Sequence, residues 1–199
     1  MTRALIGSII LLATAGAVIP KYFILGFAHI LPDGLDHVLF ILGLFFLSRS
    51  FPLLLLQMTL FTVAHSLTLG LSLYGLISLP VEWIEIAIAL SITFVAVENL
   101  FAGDRLRAWR PGVVFISGLV HGMGFAHSFA ETPIQQEDFL PALFSFNLGV
   151  EFGQLTVLGL AHASVALVGN KAWYRNAVER PICLMMALAG LGMAAFRLG

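Results

Sequence analysis

Apolar residues run along this chain in seven long blocks, and the polar residues fall mostly into short links between them. The blocks are Leu5–Ile19, Phe23–Leu47, Leu53–Leu73, Val81–Phe101, Val113–Phe129, Leu140–Val168 and Ile182–Phe196. A helix that crosses a bilayer needs about 20 apolar residues. The pattern therefore predicts an all-α, polytopic transmembrane bundle of about seven spans, forming one integral membrane domain over 1–199 with its polar motifs concentrated in 23–168. The first and last blocks are short, and the sixth is long enough to cross with a tilt. The second is interrupted by Pro32-Asp33-Gly34, which predicts a broken helix. In a membrane such breaks are tolerated where the freed backbone is buried in protein or lines a cavity.

The N-terminal block has a second reading. Arg3, a 15-residue apolar run and a small-residue stretch at Ala13-Thr14-Ala15 or Ala15-Gly16-Ala17 also fit a secretory signal peptide. Its removal leaves six spans with the same orientation.

Composition agrees with the span pattern. Hydrophobic residues make up 59% and charged residues 11% of the 199, with a mean hydropathy of +0.98. Soluble domains carry about 25% charged residues. No basic stripe suits nucleic acid. The lone Cys183 excludes an internal disulfide and a cysteine-rich metal site.

Lysine and arginine in the short links set the orientation. With the N-terminus in the cytoplasm, the inner side carries Arg3, Arg49, Arg105, Arg107, Arg110, Lys171, Arg175 and Arg180, against Lys21 and Arg197 outside. The expectation is a multi-pass protein of the inner (plasma) membrane with its C-terminus outside. Its oligomeric state is open.

The candidate chemistry lies in the polar residues inside the apolar blocks. All six histidines sit within or beside a block. An ionisable group in hydrocarbon is costly, so it faces a cavity, a partner or a pathway. At 1.5 Å of rise per residue, His29, Asp36, His37, His65 and His121 fall between the outer half and the middle of the bilayer. Asp33 belongs to the break, and Asp36-His37 open the half-helix after it, where the helix dipole favours a carboxylate. Asn147, Glu151 and Gln154 share a helical stripe at i, i+4 and i+7, which His162 continues. His65, Thr68 and Ser72 form another. Glu98, Asn99 and His162 lie deeper, towards the inside. His127 is about 120° from His121 on an ideal helix, so the two need not share a site. A lone membrane histidine also serves simply as an interhelical hydrogen bonder, the plain reading for His127 and His162. Glu82 and Glu85 start their span near the interface, where solvation is enough to explain them. The pairs Gly118/Gly122 and Gly149/Gly153 suit close helix packing.

The motifs that carry this chemistry resemble the HupE/UreJ family of membrane proteins. The matching stretches are Gly26 to Phe40 (GFAHILPDGLDHVLF), Phe61 to Thr68 (FTVAHSLT), Ile88 to Ile92 (IALSI) followed by Glu98-Asn99, Gly118 to Ala126 (GLVHGMGFA) and Phe146 to Gln154 (FNLGVEFGQ). The resemblance implies a nickel or cobalt permease. His29-x6-Asp36-His37 also resembles the His-x4-Asp-His signature of the broader nickel/cobalt transporters, with two more residues between. Two residues turn a helical face by about 200°, so the parallel requires the break at Pro32–Gly34 to absorb the difference.

Two functions fit the residues. The first is transport of a divalent metal ion, with His29, His37, His65 and His121 as imidazole ligands and Asp36 and Glu151 supplying charge. Asp33, Ser66, Thr68, Glu98, Asn99, His127, Asn147 and Gln154 give polar support. Imidazole also suits zinc, so the ligand types do not choose the metal. The second is an intramembrane zinc hydrolase, in which three imidazoles hold a metal with an open position, a carboxylate acts as base and Ser66 or Ser91 assists. Haem held by paired histidines is a third arrangement, for which the chain carries no motif.

Overall fold

The computed structural model describes residues 18–101, 108–130 and 136–198, with the backbone alone for 127–130. Seven helices account for nearly all of them: α1 (Val18–Ile30), α2 (Leu35–Leu47), α3 (Phe51–Leu73), α4 (Val81–Phe101), α5 (Arg110–Ala130), α6 (Phe139–Val165) and α7 (Arg180–Phe196). The protein is an all-α membrane bundle. Among the described helices, α3, α4, α6 with its preceding turn and α7 with its preceding turn are each long and apolar enough to cross a bilayer, and the bent pair α1/α2 adds a fifth crossing. Helix α5 has the same length as α4. Its apolar character is diluted by glycines, Ser117 and histidines, and it packs against α3 and α4.

The second apolar block is broken where expected. Helices α1 and α2 meet at 66°. Pro32 has no N–H to continue the ladder, and Asp33 N donates instead to Ala28 O at 3.0 Å. Gly34 lies against the His29 carbonyl, where a Cβ would collide with it. Most of the first block, residues 5–17, lies outside the described residues. Its last two residues, Val18 and Ile19, are already helical and belong to α1, so Pro20-Lys21 fall within that helix rather than between two spans.

Other ends differ from the sequence expectation by a few residues for local reasons. Helix α3 begins at Phe51 because Pro52 suits a first turn, where no N–H is needed. It ends in a Schellman turn: Gly75, at φ +71°, lets Gly75 N reach Ser72 O and Leu76 N reach Leu71 O. Helix α5 starts three residues earlier than expected, which takes Arg110 into the helix. The chain enters α7 through a π turn at Arg175–Glu179. Pro181 has no N–H to give the carbonyl four residues back, and the wider turn accommodates that loss.

The packing is that of a membrane protein. Large apolar side chains such as Leu56, Val63, Leu90, Phe152 and Leu188 face outward. Polar side chains such as His65, His121, Gln57 and Gln154 are buried. Helix α3 packs on α5, α4 on α7, and α2 on α4 and α6. Two of the contacts that need glycine bear on the histidines. Gly122 lies against the His65 carbonyl and Thr68 Oγ1, and Gly149 against the Phe23 carbonyl. Any side chain there would push α3 from α5 or α1 from α6. Both close approaches hold histidine-bearing segments in place.

Candidate metal centre

The break in the second block builds the site. His29 stands in the last turn of α1 and His37 in the first turn of α2. The fold at Pro32–Gly34 brings their ring centres to 4.5 Å. His65 enters from α3, its ring 5.7 Å from both His29 and His37. One ligand nitrogen from each of these three lies within 4.8 Å of the others. His121, from α5, packs its ring 4.8 Å from that of His37. Four histidines from four helices therefore meet.

Hydrogen bonding sets two of the rings. His37 Nδ1 lies 3.1 Å from Asp36 Oδ1, which also accepts from the His37 backbone N–H at 2.9 Å. A carboxylate accepts only, so Nδ1 carries the proton and the Nε2 lone pair is left free. Ser91 donates its hydroxyl to Ile88 O at 2.7 Å, and His121 Nε2 lies 3.3 Å from that hydroxyl oxygen. The serine proton is already committed, so Nε2 donates and the Nδ1 of His121 is free. A carboxylate fixing the tautomer of a histidine is the usual outer support of a metal-ligating imidazole.

The inner nitrogens have no protein partner. His29 Nε2, His37 Nε2, both nitrogens of His65 and His121 Nδ1 are buried without a hydrogen bond. Each unsatisfied buried polar atom costs about 1–3 kcal/mol. Together they approach the ~5–15 kcal/mol stability of a typical domain. One nitrogen each of His29, His37 and His65 lies within 4.8 Å of the others, an arrangement that a cation offsets. The rings are walled by Phe40, Phe61, Phe125 and Phe146. That apolar wall weakens competition from water. On one side the cluster opens into a cavity of about 560 Å³ lined by His29, Asp33, Asp36, His37, His121, Glu85 and Arg197.

The remaining sequence candidates fall elsewhere. Asn147, Glu151 and Gln154 do form one stripe of α6, but their partners are on α3. Ser66 donates to Asn147 Oδ1 at 2.5 Å, Thr59 to Glu151 Oε1 at 3.1 Å and Thr62 to Gln154 Oε1 at 3.1 Å. This ladder joins two helices, and Glu151 does not line the histidine cavity. Thr68 donates to Leu119 O at 2.7 Å, which ties α3 to α5 behind His65. Asn99 donates to Gly43 O at 2.7 Å and holds α4 to α2. The ring nitrogens of His162 lie 3.0 Å from Leu158 O, one turn back in α6, and 3.3 Å from Arg49 O, in the link between α2 and α3, so its contacts are to its own helix and a link rather than to another helix. The His127 side chain lies outside the described residues.

Two charge pairs escaped the sequence reading. Arg110, expected in an inner link, is 2% exposed and stands 3.9 Å from the buried carboxylate of Glu98. Glu85, expected to be solvated, accepts from Arg197 Nε at 2.7 Å. A carboxylate a short way into a span and a C-terminal arginine were the available signals, but nothing in the sequence joins them.

No curated protein and no solved structure matched the chain. A family model described as HupE / UreJ protein matches residues 7–197, nearly the whole length, and the chain belongs to the HupE/UreJ family.

Proposed function

We propose that this protein carries a divalent transition-metal ion, nickel or cobalt, across the inner membrane, and that His29, His37 and His65 bind the ion on its way. The observation that carries the reading is the meeting of unpartnered imidazole nitrogens at a break in a membrane helix. Discontinuous helices are where transporters commonly place ion sites. His121 stands ready as a fourth nitrogen. Asp36 acts through His37, as an orienting base and a nearby negative charge. The N-terminus is cytoplasmic by the distribution of lysine and arginine, so the cavity opens to the outside and the ion reaches the histidines from there.

The geometry also bounds the motion. Two metal–nitrogen bonds of about 2.1 Å span at most ~4.2 Å. The ligand atoms lie within 4.8 Å of one another, so binding draws the rings inward by a few tenths of an ångström to about 1 Å. Small side-chain rotations suffice.

The same three imidazoles and adjoining cavity also suit a resident zinc ion, which would supply a Lewis acid for hydrolysis inside the membrane. Uptake separates the two. Cells expressing the wild type are expected to accumulate ⁶³Ni or ⁵⁷Co above the empty-vector level, with His37→Ala and His65→Ala falling to background. Equal accumulation by these variants at equal protein level contradicts the transport reading.

A further inference from the structure

The cavity beside the histidines has a charged rim that metal binding itself does not require. Glu85, one turn into α4, and Arg197, just past the end of α7, both line it. Arg197 Nε donates to Glu85 Oε2 at 2.7 Å, so the pair spans the rim from one helix to the other. The other charged groups lining the cavity are Asp33 and Asp36. Arg197 is thus the one cation among the described lining residues, placed where a divalent cation must pass. Arg197 Nη1 is buried without a hydrogen bond, so the guanidinium is only partly satisfied where it lies. The side chains of Arg197 and Glu85 remain 25% and 42% exposed. A pair this open to solvent is held weakly.

An incoming divalent ion changes the balance at this rim. It offers Glu85 a stronger partner than the guanidinium does, and it repels Arg197. We propose that Glu85 and Arg197 form a latch displaced by the cation: the ion takes the Glu85 carboxylate, Arg197 swings away, and the ion passes to His37. The inference rests on the metal-substrate reading above. A pair that only braced α4 against α7 would behave differently. Losing either partner of a brace weakens the same joint, so both losses act in one direction. Losing either partner of the latch changes the charge at the mouth in opposite directions.

The test is the association rate of Co²⁺ with purified full-length protein in detergent at low ionic strength. The rate is followed by stopped flow on the cobalt–imidazole absorption, with His37→Ala as the blank. The summed field of a charged cleft shifts association rates by about 10–10³-fold. Arg197→Gln is expected to speed association about tenfold and Glu85→Gln to slow it about tenfold. The double variant is expected within about threefold of wild type, and added salt to compress all the differences. Arg197→Lys keeps the charge and is expected to match wild type. If glutamine at 197 prevents folding, the exchange Glu85→Arg with Arg197→Glu restores the pair and is expected to associate at the wild-type rate. Changes of the same sign in the two single variants, or no change in either, overturn the latch. Absence of any cobalt–imidazole band in the wild type overturns the metal reading beneath it, and the latch with it.

Discussion

Asp36→Asn separates a residue that orients a ligand from one that is a ligand. In the structure Asp36 Oδ1 accepts from the His37 ring and backbone at 3.1 and 2.9 Å. Asparagine keeps a carbonyl oxygen of similar shape there but loses the charge. A charge-assisted hydrogen bond contributes about 1.5–3 kcal/mol against ~1 kcal/mol for a neutral one. The Asp36 side chain is 28% exposed, so solvent screens part of the difference. About 1 kcal/mol of support to His37 is therefore lost. At ~1.4 kcal/mol per tenfold, the Kd for Co²⁺ is expected to rise about fivefold to tenfold. His37→Ala removes one of three imidazoles and is expected to raise it more than ~100-fold, beyond the usual reach of an outer-support change. The assay is competition against a chromophoric chelator with purified protein. A Kd for Asp36→Asn as weak as that of His37→Ala means that Asp36 binds the ion itself. A Kd equal to wild type means that Asp36 does not set the His37 ring. Either result refutes the derivation of the tautomer.

Three further outcomes follow from contacts away from the centre. Glu151→Gln is expected to leave the Co²⁺ Kd within about twofold of wild type, because Glu151 bonds to Thr59 in the α3–α6 ladder and such membrane hydrogen bonds average about 0.6 kcal/mol; a hundredfold loss would put Glu151 on the ion. Arg110→Ala leaves the buried Glu98 carboxylate without its cation and is expected to cost about 3–5 kcal/mol in denaturant unfolding. Most of that should return in the paired apolar replacement Arg110→Met with Glu98→Leu. Gly122→Val drives a side chain into the His65 carbonyl and Thr68; about 1–3 kcal/mol of stability is expected to go, seen as a lower Tm, together with weaker metal binding because the turn carrying His65 must move.

The sequence made some of this readable and hid the rest for physical reasons. The break at Pro32–Gly34 was readable because proline removes a donor and the glycine beside it permits a close approach. That His29 and His37 meet depends on the 66° bend, which no residue count supplies. The gathering of His29, His37, His65 and His121 at one depth was readable from helical rise alone. The stripe of Asn147, Glu151 and Gln154 was readable as a stripe, but a stripe does not say which helix it faces. Thr59, Thr62 and Ser66 on α3 were the answer, and hydroxyls in an apolar helix give little signal. Asp36 gives no sign in the sequence of which ring it touches; the structure places its Oδ1 3.1 Å from His37 Nδ1. Glu85 with Arg197 and Glu98 with Arg110 are pairs between helices, so neither partner announces the other.

The proposed transport requires that one divalent ion sit among three imidazoles at the helix break. Diffraction from crystals soaked in Co²⁺, with data at the cobalt absorption edge, tests it most directly. One anomalous peak is expected, bonded to nitrogens of His29, His37 and His65 at about 2.1 Å, with Asp36 still on the His37 Nδ1. A peak bonded instead to Glu151 or the other α6 residues, or no peak at saturating Co²⁺ in ordered crystals, contradicts it.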